Sequence, residues 1–318
     1  MTDIDFNQRV AIVTGAGGGL GRTFALELAA RGAAVVVNDL GGRFDGQGSS
    51  HGMADEVVDA IRAAGGKAVA NYDSVSSRAG GERIVRTALE HFGKVDIVIN
   101  NAGHLRNASF EDIDDETLDS LLDVHLKGAI YVTQPAYRIM KQQGYGRILF
   151  MSSGAAAFGN PKQAAYAAAK AGLLGVMNVL SLEGKEHGVL CNALLPVATS
   201  RMEAAMDPEQ LAAFTAQYAS LGEKLGSTYL PEFVTPLAVY LASESCTSTR
   251  AIYSAALGRY ARAFIGVTDG WAGPRDEPAT AESLAEHFQR IGDVGAFSIP
   301  NSLSEEFSII GRTLGQSL

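Results

Sequence analysis

The chain has 318 residues, of which 47% are hydrophobic and 19% are charged, as in an ordinary globular protein. Its 35 acidic residues outnumber its 26 basic residues, which gives a formal net charge of −9. Because there is also no basic cluster, this balance argues against nucleic acid or an anionic membrane as the main partner. Cys191 and Cys246 are far apart and lie in apolar surroundings, so we predict neither a disulfide framework nor a metal site.

The N-terminus, MTDIDFNQ, lacks the basic and apolar regions of a signal peptide. No apolar run reaches the ~18 residues that a membrane-spanning helix needs. The last three residues, Gln316, Ser317 and Leu318, differ from the SKL peroxisomal address. We therefore expect a cytoplasmic protein without a membrane span, located in the cytosol or in an organelle matrix.

Short β-branched runs alternate with segments of helical periodicity from the start of the chain. This alternation is typical of parallel strands covered by helices on both faces, so we predict an α/β fold with a Rossmann-type doubly wound parallel sheet. Strands are predicted near residues 9–14, 33–39, 67–71, 95–99, 146–152 and 189–195. The last strand is ambiguous between residues 251–256 and 261–267. Helices are predicted near residues 20–31, 52–64, 77–92, 114–142, 163–187, 207–223 and 231–243.

No repeat, low-complexity tract or Pro-rich linker divides the chain, so we predict a single domain over residues 1–272. A C-terminal extension over residues 273–318 begins with a Pro- and acid-rich turn. The apolar residues of this extension lead us to expect that it packs on the domain, and a disordered tail is the alternative.

A glycine-rich turn, TGAGGGLG, directly follows the first predicted strand and opens a helix over Thr14–Gly21. Glycines here permit a tight turn and a close backbone approach to a pyrophosphate at the positive N-terminus of the helix. A glycine-rich string alone is weak evidence, but its place between a strand and a helix strongly favours dinucleotide binding. The candidate cofactor contacts in this turn are Gly15, Gly19, Leu20 and Gly21.

Asp39 ends the second predicted strand, eighteen residues after Gly21. A carboxylate at this place can accept hydrogen bonds from the ribose hydroxyls of an adenosine. It would repel the 2′-phosphate of NADP, so the sequence predicts NAD as the cofactor. Arg22 and Arg43 argue in the opposite direction, and a solvated turn residue is the alternative interpretation of Asp39.

Polar residues also follow the third and fourth predicted strands. The carboxyl ends of parallel strands meet at the edge of the sheet where such folds bind ligands. Asp73 and Ser74 are therefore expected to flank the adenine. The motif NNAG is expected to line the floor of the site with Asn101, Ala102 and Gly103.

The stretch from Ser152 to Lys170 combines a serine, a tyrosine and a lysine. Tyr166 and Lys170 are four residues apart in an Ala-rich run, so a helix would place both side chains on one face. A neighbouring ammonium lowers the pKa of a phenol, and the pair can then act as a general acid/base on an alcohol. Ser153 follows a short strand and precedes a loop that contains Gly154, Gly159 and Pro161, and it could hydrogen-bond the same substrate oxygen.

Together these motifs resemble the short-chain dehydrogenase/reductase family over about residues 8–272. Further stretches are similar to its (3R)-hydroxyacyl-CoA dehydrogenase subfamily, which includes parts of peroxisomal multifunctional enzymes and bacterial relatives. These stretches are NDLGG, GGKAVANYDSV, DVHLKGA, YGRILFMSS, SRM and PEFVTPLAVYLASESC.

The resemblance implies an NAD-linked oxidation of a 3-hydroxyacyl-CoA, fatty acyl or steroid, in β-oxidation, by a homodimer or homotetramer. It implies catalytic roles for Ser153, Tyr166 and Lys170, and cofactor contacts at Tyr166, Lys170, Val197 and Thr199. A 17β-hydroxysteroid dehydrogenase and an NADPH-dependent 3-oxoacyl reductase are alternatives. The fold would also suit a non-catalytic nucleotide-binding scaffold, although such a protein would have no reason to keep all three residues in register.

The chain departs from the family pattern in three places. His125 stands where the wider family has a catalytic Asn that anchors a water near the lysine. An imidazole there could hold that water and pass the Tyr166 proton outward, or it could be a structural histidine bonded to a backbone carbonyl. The usual Pro-Gly after the sixth strand is Pro196-Val197. Residues 207–228 are longer than the subfamily's lid and are expected to set the acyl-chain preference.

Overall fold

The computed structural model describes residues 4–43, 46–199, 212 and 226–314. Contacts divide the chain into two compact units, Met1–Arg262 and Ala263–Leu318. Within these described ranges, eight strands form one mostly parallel sheet. They are β1 (Val10–Thr14), β2 (Ala34–Asn38), β3 (Lys67–Asn71), β4 (Ile97–Asn100), β5 (Gly146–Met151), β6 (Val189–Val197), β7 (Ile252–Ala256) and β8 (Arg259–Ala263).

The strand order is β3-β2-β1-β4-β5-β6-β7-β8, which places β1 and β4 side by side and leaves β3 and β8 at the edges. Neighbours from β3 to β7 pair in parallel. Leu257 and Gly258 connect β7 to β8, and both have positive φ, at 56° and 76°. This backbone is typical of a two-residue hairpin turn. The order reverses between β1 and β4, where doubly wound sheets open a ligand crevice.

Helices flank this sheet, and several of them share its apolar core. Their bounds are α1 (Gly19–Ala30), α2 (Gly52–Ala63), α3 (Arg78–Phe92), α4 (Asp115–Leu121), α5 (Gly128–Gln143), α6 (Gly154–Phe158), α7 (Ala164–Gly184) and α8 (Thr235–Ala242). Strands β1, β2, β4 and β5 are buried along their whole length, as expected when both faces of a parallel sheet are covered. The predicted doubly wound α/β class is confirmed.

The structure differs from the predicted elements in three places. The first candidate for the last strand corresponds to β7, and the second overlaps β8 only at residues 261–263. The predicted helix over residues 114–142 is interrupted between α4 and α5 by a π-helical segment, Leu122–Lys127. The loop expected after Ser153 instead contains the short helix α6. The predicted helix at 207–223 lies outside the described residues except for residue 212.

Over its described residues, up to residue 314, the second unit contains two short strands and two helices. They are β9 (Val267–Thr268), α9 (Ala281–Ile291), β10 (Phe297–Ser298) and α10 (Leu303–Thr313). β9 and β10 pair antiparallel, and Trp271 stacks on His287 with ring centroids 4.1 Å apart. The unit is therefore ordered by its own contacts. That the C-terminal extension packs on the domain stays a prediction.

One helical stretch among the described residues, Ala164–His187, is long and apolar enough to cross a membrane. The core helix of a soluble protein passes the same test, and 33% of the apolar window is buried in this protein, including Leu173 and Met177. The finding is weak evidence for a membrane span.

Candidate active site

Ser153 lies at the carboxyl end of β5 and begins helix α6. Its Oγ accepts a hydrogen bond from the backbone N–H of Ala155 at 3.1 Å, so the side chain caps the helix. Tyr166 and Lys170 lie one turn apart on α7, as the spacing predicted. The side chain of Tyr166 is hydrogen-bonded to that of Ser153. The structure therefore brings the three predicted residues together.

Lys170 is buried, with 5% of its surface exposed. Its Nζ donates a hydrogen bond to the carbonyl oxygen of Met151 at 2.6 Å and lies 5.8 Å from the centroid of the Tyr166 ring. Burial disfavours the charged form and lowers the pKa of Lys170 to about 7. The side chain can therefore gain or lose a proton near neutral pH.

The pKa of Tyr166 shifts in the direction opposite to the one that the sequence predicted. Burial raises the pKa of this phenol, and the hydrogen bond from Ser153 lowers it by less. The physical reason is that desolvation disfavours the phenolate, while the ammonium of Lys170 is directed to the Met151 carbonyl. Tyr166 is therefore protonated at neutral pH in this structure and can act as an acid. A nearby positive charge would favour its phenolate form.

His125 lies in the π-helical segment between α4 and α5, and such segments are frequent at functional sites. Its ring is 2% exposed and meets the Tyr166 ring edge-on, with centroids 5.2 Å apart. Its Nε2 lies 2.7 Å from the carbonyl oxygen of His104. Burial, then the charge of Lys170 and then His104 hold the pKa of His125 well below its usual range. The imidazole is therefore neutral at pH 7, with Nε2 as the donor.

This tautomer leaves Nδ1 of His125 as a buried acceptor, and no side chain or backbone group among the described residues bonds it. Asn100 has a second such acceptor. Its Nδ2 donates to Thr133 Oγ1 at 2.8 Å, but its Oδ1 is buried without a partner in the described chain. Both residues and Lys170 line a cavity of about 10 Å³, roughly the volume that one water molecule needs.

The glycine-rich turn packs tightly against the NNAG motif. A Cβ at Gly15 would lie 2.8 Å from Ala102 Cα, and one at Gly21 would lie 2.2 Å from the Gly15 carbonyl oxygen. Asn101 braces the turn, since its Nδ2 donates to the carbonyl oxygens of Thr14 and Gly15, both at 3.0 Å. These contacts explain why a side chain cannot stand at Gly15 or Gly21.

The outer side of the turn is open. A Cβ at Gly19 would meet no atom of the described chain within 4 Å, and Gly18 at the start of α1 provides no side-chain cap. Free N–H groups of a first helical turn suit a pyrophosphate. Asp39 directly follows β2 and is 5% exposed, at the position where dinucleotide-binding folds hold an adenosine ribose. The residues present therefore fit a dinucleotide cofactor, with Leu20 partly buried behind the turn.

The remaining candidate residues lie at the carboxyl edge of the sheet or next to it. Asp73 Oδ1 pairs with Arg83 Nε at 2.6 Å, and Ser74 Oγ lies 2.8 Å from Ser76 Oγ. The ring of His125 packs against Gly103, where a Cβ would lie 2.3 Å from Cε1 of that ring. Val197 ends β6, and the N–H of Thr199 donates to the Tyr229 carbonyl at 2.7 Å. Their contacts with a cofactor stay predictions.

Sequence reasoning missed His104, whose backbone carbonyl fixes the tautomer of His125. The side chain is 4% exposed, and its ring centroid lies 5.6 Å from that of His125. The only available signal was its position directly after NNAG, which does not reveal that the ring turns inward. Over the described parts of the chain, no group of three His, Cys, Asp or Glu side chains could hold a metal ion.

A family model described as short chain dehydrogenase matches residues 9–210. Peroxisomal multifunctional enzyme type 2 of Mus musculus is 43% identical over 305 residues, which are 94% of this chain and 39% of the mouse protein. A Mycobacterium tuberculosis protein, provisionally named as a short-chain type dehydrogenase/reductase, is 43% identical over 293 residues, 92% of this chain and 96% of its own.

The fold also matches the solved structure of full-length peroxisomal multifunctional enzyme type 2 from Drosophila melanogaster. The TM-score is 0.77 at 32% identity, and the match covers 98% of this chain and 50% of that one. The chain thus spans half or less of these multifunctional relatives. From the matched family model and the relatives that cover nearly all of it, the chain belongs to the short-chain dehydrogenase family and is an NAD(P)-dependent dehydrogenase that acts on CH–OH groups.

Proposed function

We propose that the protein oxidises a 3-hydroxyacyl-CoA to the 3-oxoacyl-CoA with NAD as the acceptor. The observation that carries this proposal is the arrangement of Ser153, Tyr166 and Lys170 beside the glycine-rich turn. The acyl-CoA class is supported by the subfamily stretches in the sequence and by the similarity to multifunctional relatives. The acyl group would be a fatty acyl chain or a steroid side chain.

The chain's own residues position the substrate and move its proton. Tyr166 would take the proton of the substrate hydroxyl, and Ser153, which is hydrogen-bonded to Tyr166, would hold the same oxygen. The nicotinamide cofactor, when bound, supplies the hydride acceptor. Lys170 has three N–H donors, of which one bonds the Met151 carbonyl, so others remain for a ribose hydroxyl.

NAD rather than NADP is proposed because of Asp39. A carboxylate can accept hydrogen bonds from the free ribose hydroxyls of NAD, and it repels the 2′-phosphate of NADP. Asp39→Ala should therefore reduce the difference between the kcat/KM values measured with NAD⁺ and with NADP⁺. A kcat/KM with NADP⁺ that matches or exceeds the kcat/KM with NAD⁺ in the parent protein would refute this choice.

One observation favours a second candidate function, a 3-oxoacyl reductase that works in the opposite direction. Reduction needs an acid at the substrate oxygen, and the raised pKa of Tyr166 keeps this phenol protonated. Oxidation needs the phenolate, which bound positive charge near Lys170 would favour.

The decisive assay measures NAD⁺-dependent oxidation of short, long and sterol-derived 3-hydroxyacyl-CoA thioesters. The same panel is then measured as 3-oxoacyl-CoA with NADH and NADPH, and 17β-hydroxysteroids are included as a separate class. Oxidation of at least one thioester with NAD⁺, at a higher kcat/KM than any steroid alcohol, is the expected result. Nucleotide binding without turnover on the whole panel would indicate a non-catalytic protein.

A further inference from the structure

The carboxylate of Asp39 is held between two backbone loops. Its Oδ2 accepts a hydrogen bond from the N–H of Gly17, in the glycine-rich turn, at 2.7 Å. Its Oδ1 accepts one from the N–H of Gly41, just after β2, also at 2.7 Å. Hydrogen bonds to a carboxylate are stronger than those between neutral groups. The side chain is also buried, so both contacts hold it in one rotamer.

Both donors have to be glycines. A Cβ at Gly17 would lie 2.7 Å from the Met53 Cβ and 2.8 Å from Asp39 Oδ2 itself. Gly41 has a φ of +72°, and a Cβ there would lie 1.8 Å from the carbonyl oxygen of Ser50. A side chain at either position would push the donor away from the carboxylate. We call the two N–H groups of Gly17 and Gly41 the carboxylate clamp.

The loop that carries Gly41 is closed at its base. The N–H of Ser50 donates to the carbonyl oxygen of Leu40 at 3.0 Å, next to the close approach of Gly41 and Ser50. This bond fixes where the Gly41 N–H points. The hydrogen bond between Ser50 and Leu40 therefore holds the Gly41 N–H of the clamp in its orientation towards the carboxylate.

We propose that the carboxylate clamp makes Gly41 a specificity-determining residue for NAD over NADP, an inference that rests on the proposed use of NAD. Each carboxylate oxygen has two acceptor sites, so each keeps one for a ribose hydroxyl after bonding its glycine. An unclamped aspartate could turn away from an approaching 2′-phosphate. The clamped side chain can do so only by breaking two charge-assisted hydrogen bonds.

The experiment measures the dissociation constants of NAD⁺ and NADP⁺ by titration calorimetry, without substrate. Gly41→Ala is compared with Gly42→Ala, the adjacent glycine, where a Cβ would lie no closer than 3.3 Å to its nearest neighbour, the Gly48 carbonyl oxygen. Gly41→Ala should lower the NAD-over-NADP affinity ratio by about tenfold, the effect of roughly one lost hydrogen bond. Gly42→Ala should keep the parent ratio.

Asp39→Glu provides a second variant, in case Gly41→Ala does not fold. It keeps the negative charge but makes the side chain one methylene too long for both short bonds, so the ratio should fall here as well. A ratio that stays at the parent value in Asp39→Glu would show that charge alone discriminates. A parent-like ratio in Gly41→Ala, or an equal fall in Gly42→Ala, would also overturn the clamp while leaving the NAD proposal intact. Equal affinity of the parent for both cofactors would instead refute the proposed use of NAD itself.

Discussion

At the scale of single residues, the hydroxyl of Tyr166 is the atom on which the proposed chemistry depends. Tyr166→Phe removes this oxygen and little packing, and loss of a general acid/base costs ~10²–10⁴-fold in rate. We expect a fall of that size in kcat on a confirmed substrate. A variant that keeps a near-normal kcat would rule out the mechanism.

Tyr137→Phe is the matched control for this substitution. It also removes one tyrosine hydroxyl. This hydroxyl donates a 2.9 Å hydrogen bond to the carbonyl oxygen of Leu180, and it lies away from the catalytic residues. We expect this variant to lose ~1 kcal/mol of unfolding free energy and to keep its kcat. Thermal melts of both variants separate lost stability from lost chemistry.

His125 allows its two nitrogens to be tested separately. In His125→Asn, the amide oxygen can take the place of Nδ1, while in His125→Gln the amide nitrogen can take the place of Nε2 and bond the His104 carbonyl. We propose that His125 passes the Tyr166 proton outward. Its protonated form would repel the ammonium of Lys170, so oxidative activity should fall as pH drops through the His125 pKa.

Burial and the charge of Lys170 depress the pKa of His125. In a plot of kcat against pH, the fall in kcat at low pH should therefore occur well below pH 6.5. His125→Asn should abolish this fall. If the kcat profiles of the parent and His125→Asn superimpose, the proton-passing role is wrong. His125→Gln then measures the structural bond, since it should retain the parent's melting temperature better than His125→Asn does.

At the scale of elements, local patterns predicted much of the site. The prediction that Tyr166 and Lys170 lie together required only that their segment be a helix. The prediction of the glycine-rich turn required only a strand before it and a helix after it. Helix α6 was missed because Gly154 and Gly159 favour a loop, whereas the Ser153 cap starts a helical turn. The π-helical segment and the inward ring of His104 depend on contacts between distant parts of the chain, which periodicity does not encode.

The lid predicted at residues 207–228 lies almost entirely outside the described residues, and its role stays a prediction. Its apolar pattern includes Leu211, Phe214, Tyr218, Leu221 and Leu225. We expect trimming of residues 212–227 to change the relative kcat/KM across acyl-chain lengths, because an apolar face beside the substrate selects for chain length. Unchanged relative values would identify the segment as a plain surface helix.

At the scale of the whole molecule, α7 carries an exposed stripe of small and apolar side chains. Its members are Ala164, Ala168, Ala171, Gly175, Val179 and Leu182. Such a stripe permits close helix approach, and together with the family resemblance it leads us to predict at least a dimer. Light scattering at micromolar concentration should give the dimer mass or a multiple of it, and a monomer mass would refute the prediction.

Gly175→Glu tests the stripe directly. A Cβ at Gly175 meets no described atom within 4 Å, so the substitution should leave the protomer folded while it blocks the approach of a second helix. We expect a shift towards monomer. Ala63→Glu, which adds the same charge at an exposed end of α2, should keep the parent mass.

The open sheet has two edges, and each one is a template on which the strand of another molecule could add. The edge strand β8 exposes Arg259 and Arg262, and the edge strand β3 exposes Lys67. Bringing cations together across an added strand is costly, so we expect these side chains to oppose edge-to-edge aggregation. Replacing Arg259 and Arg262 with Val should make turbidity rise at lower protein concentration than the equally charged control Arg86→Val with Arg138→Val. That result would show that the position of these two cations, and not the net charge of the chain, limits edge-to-edge association.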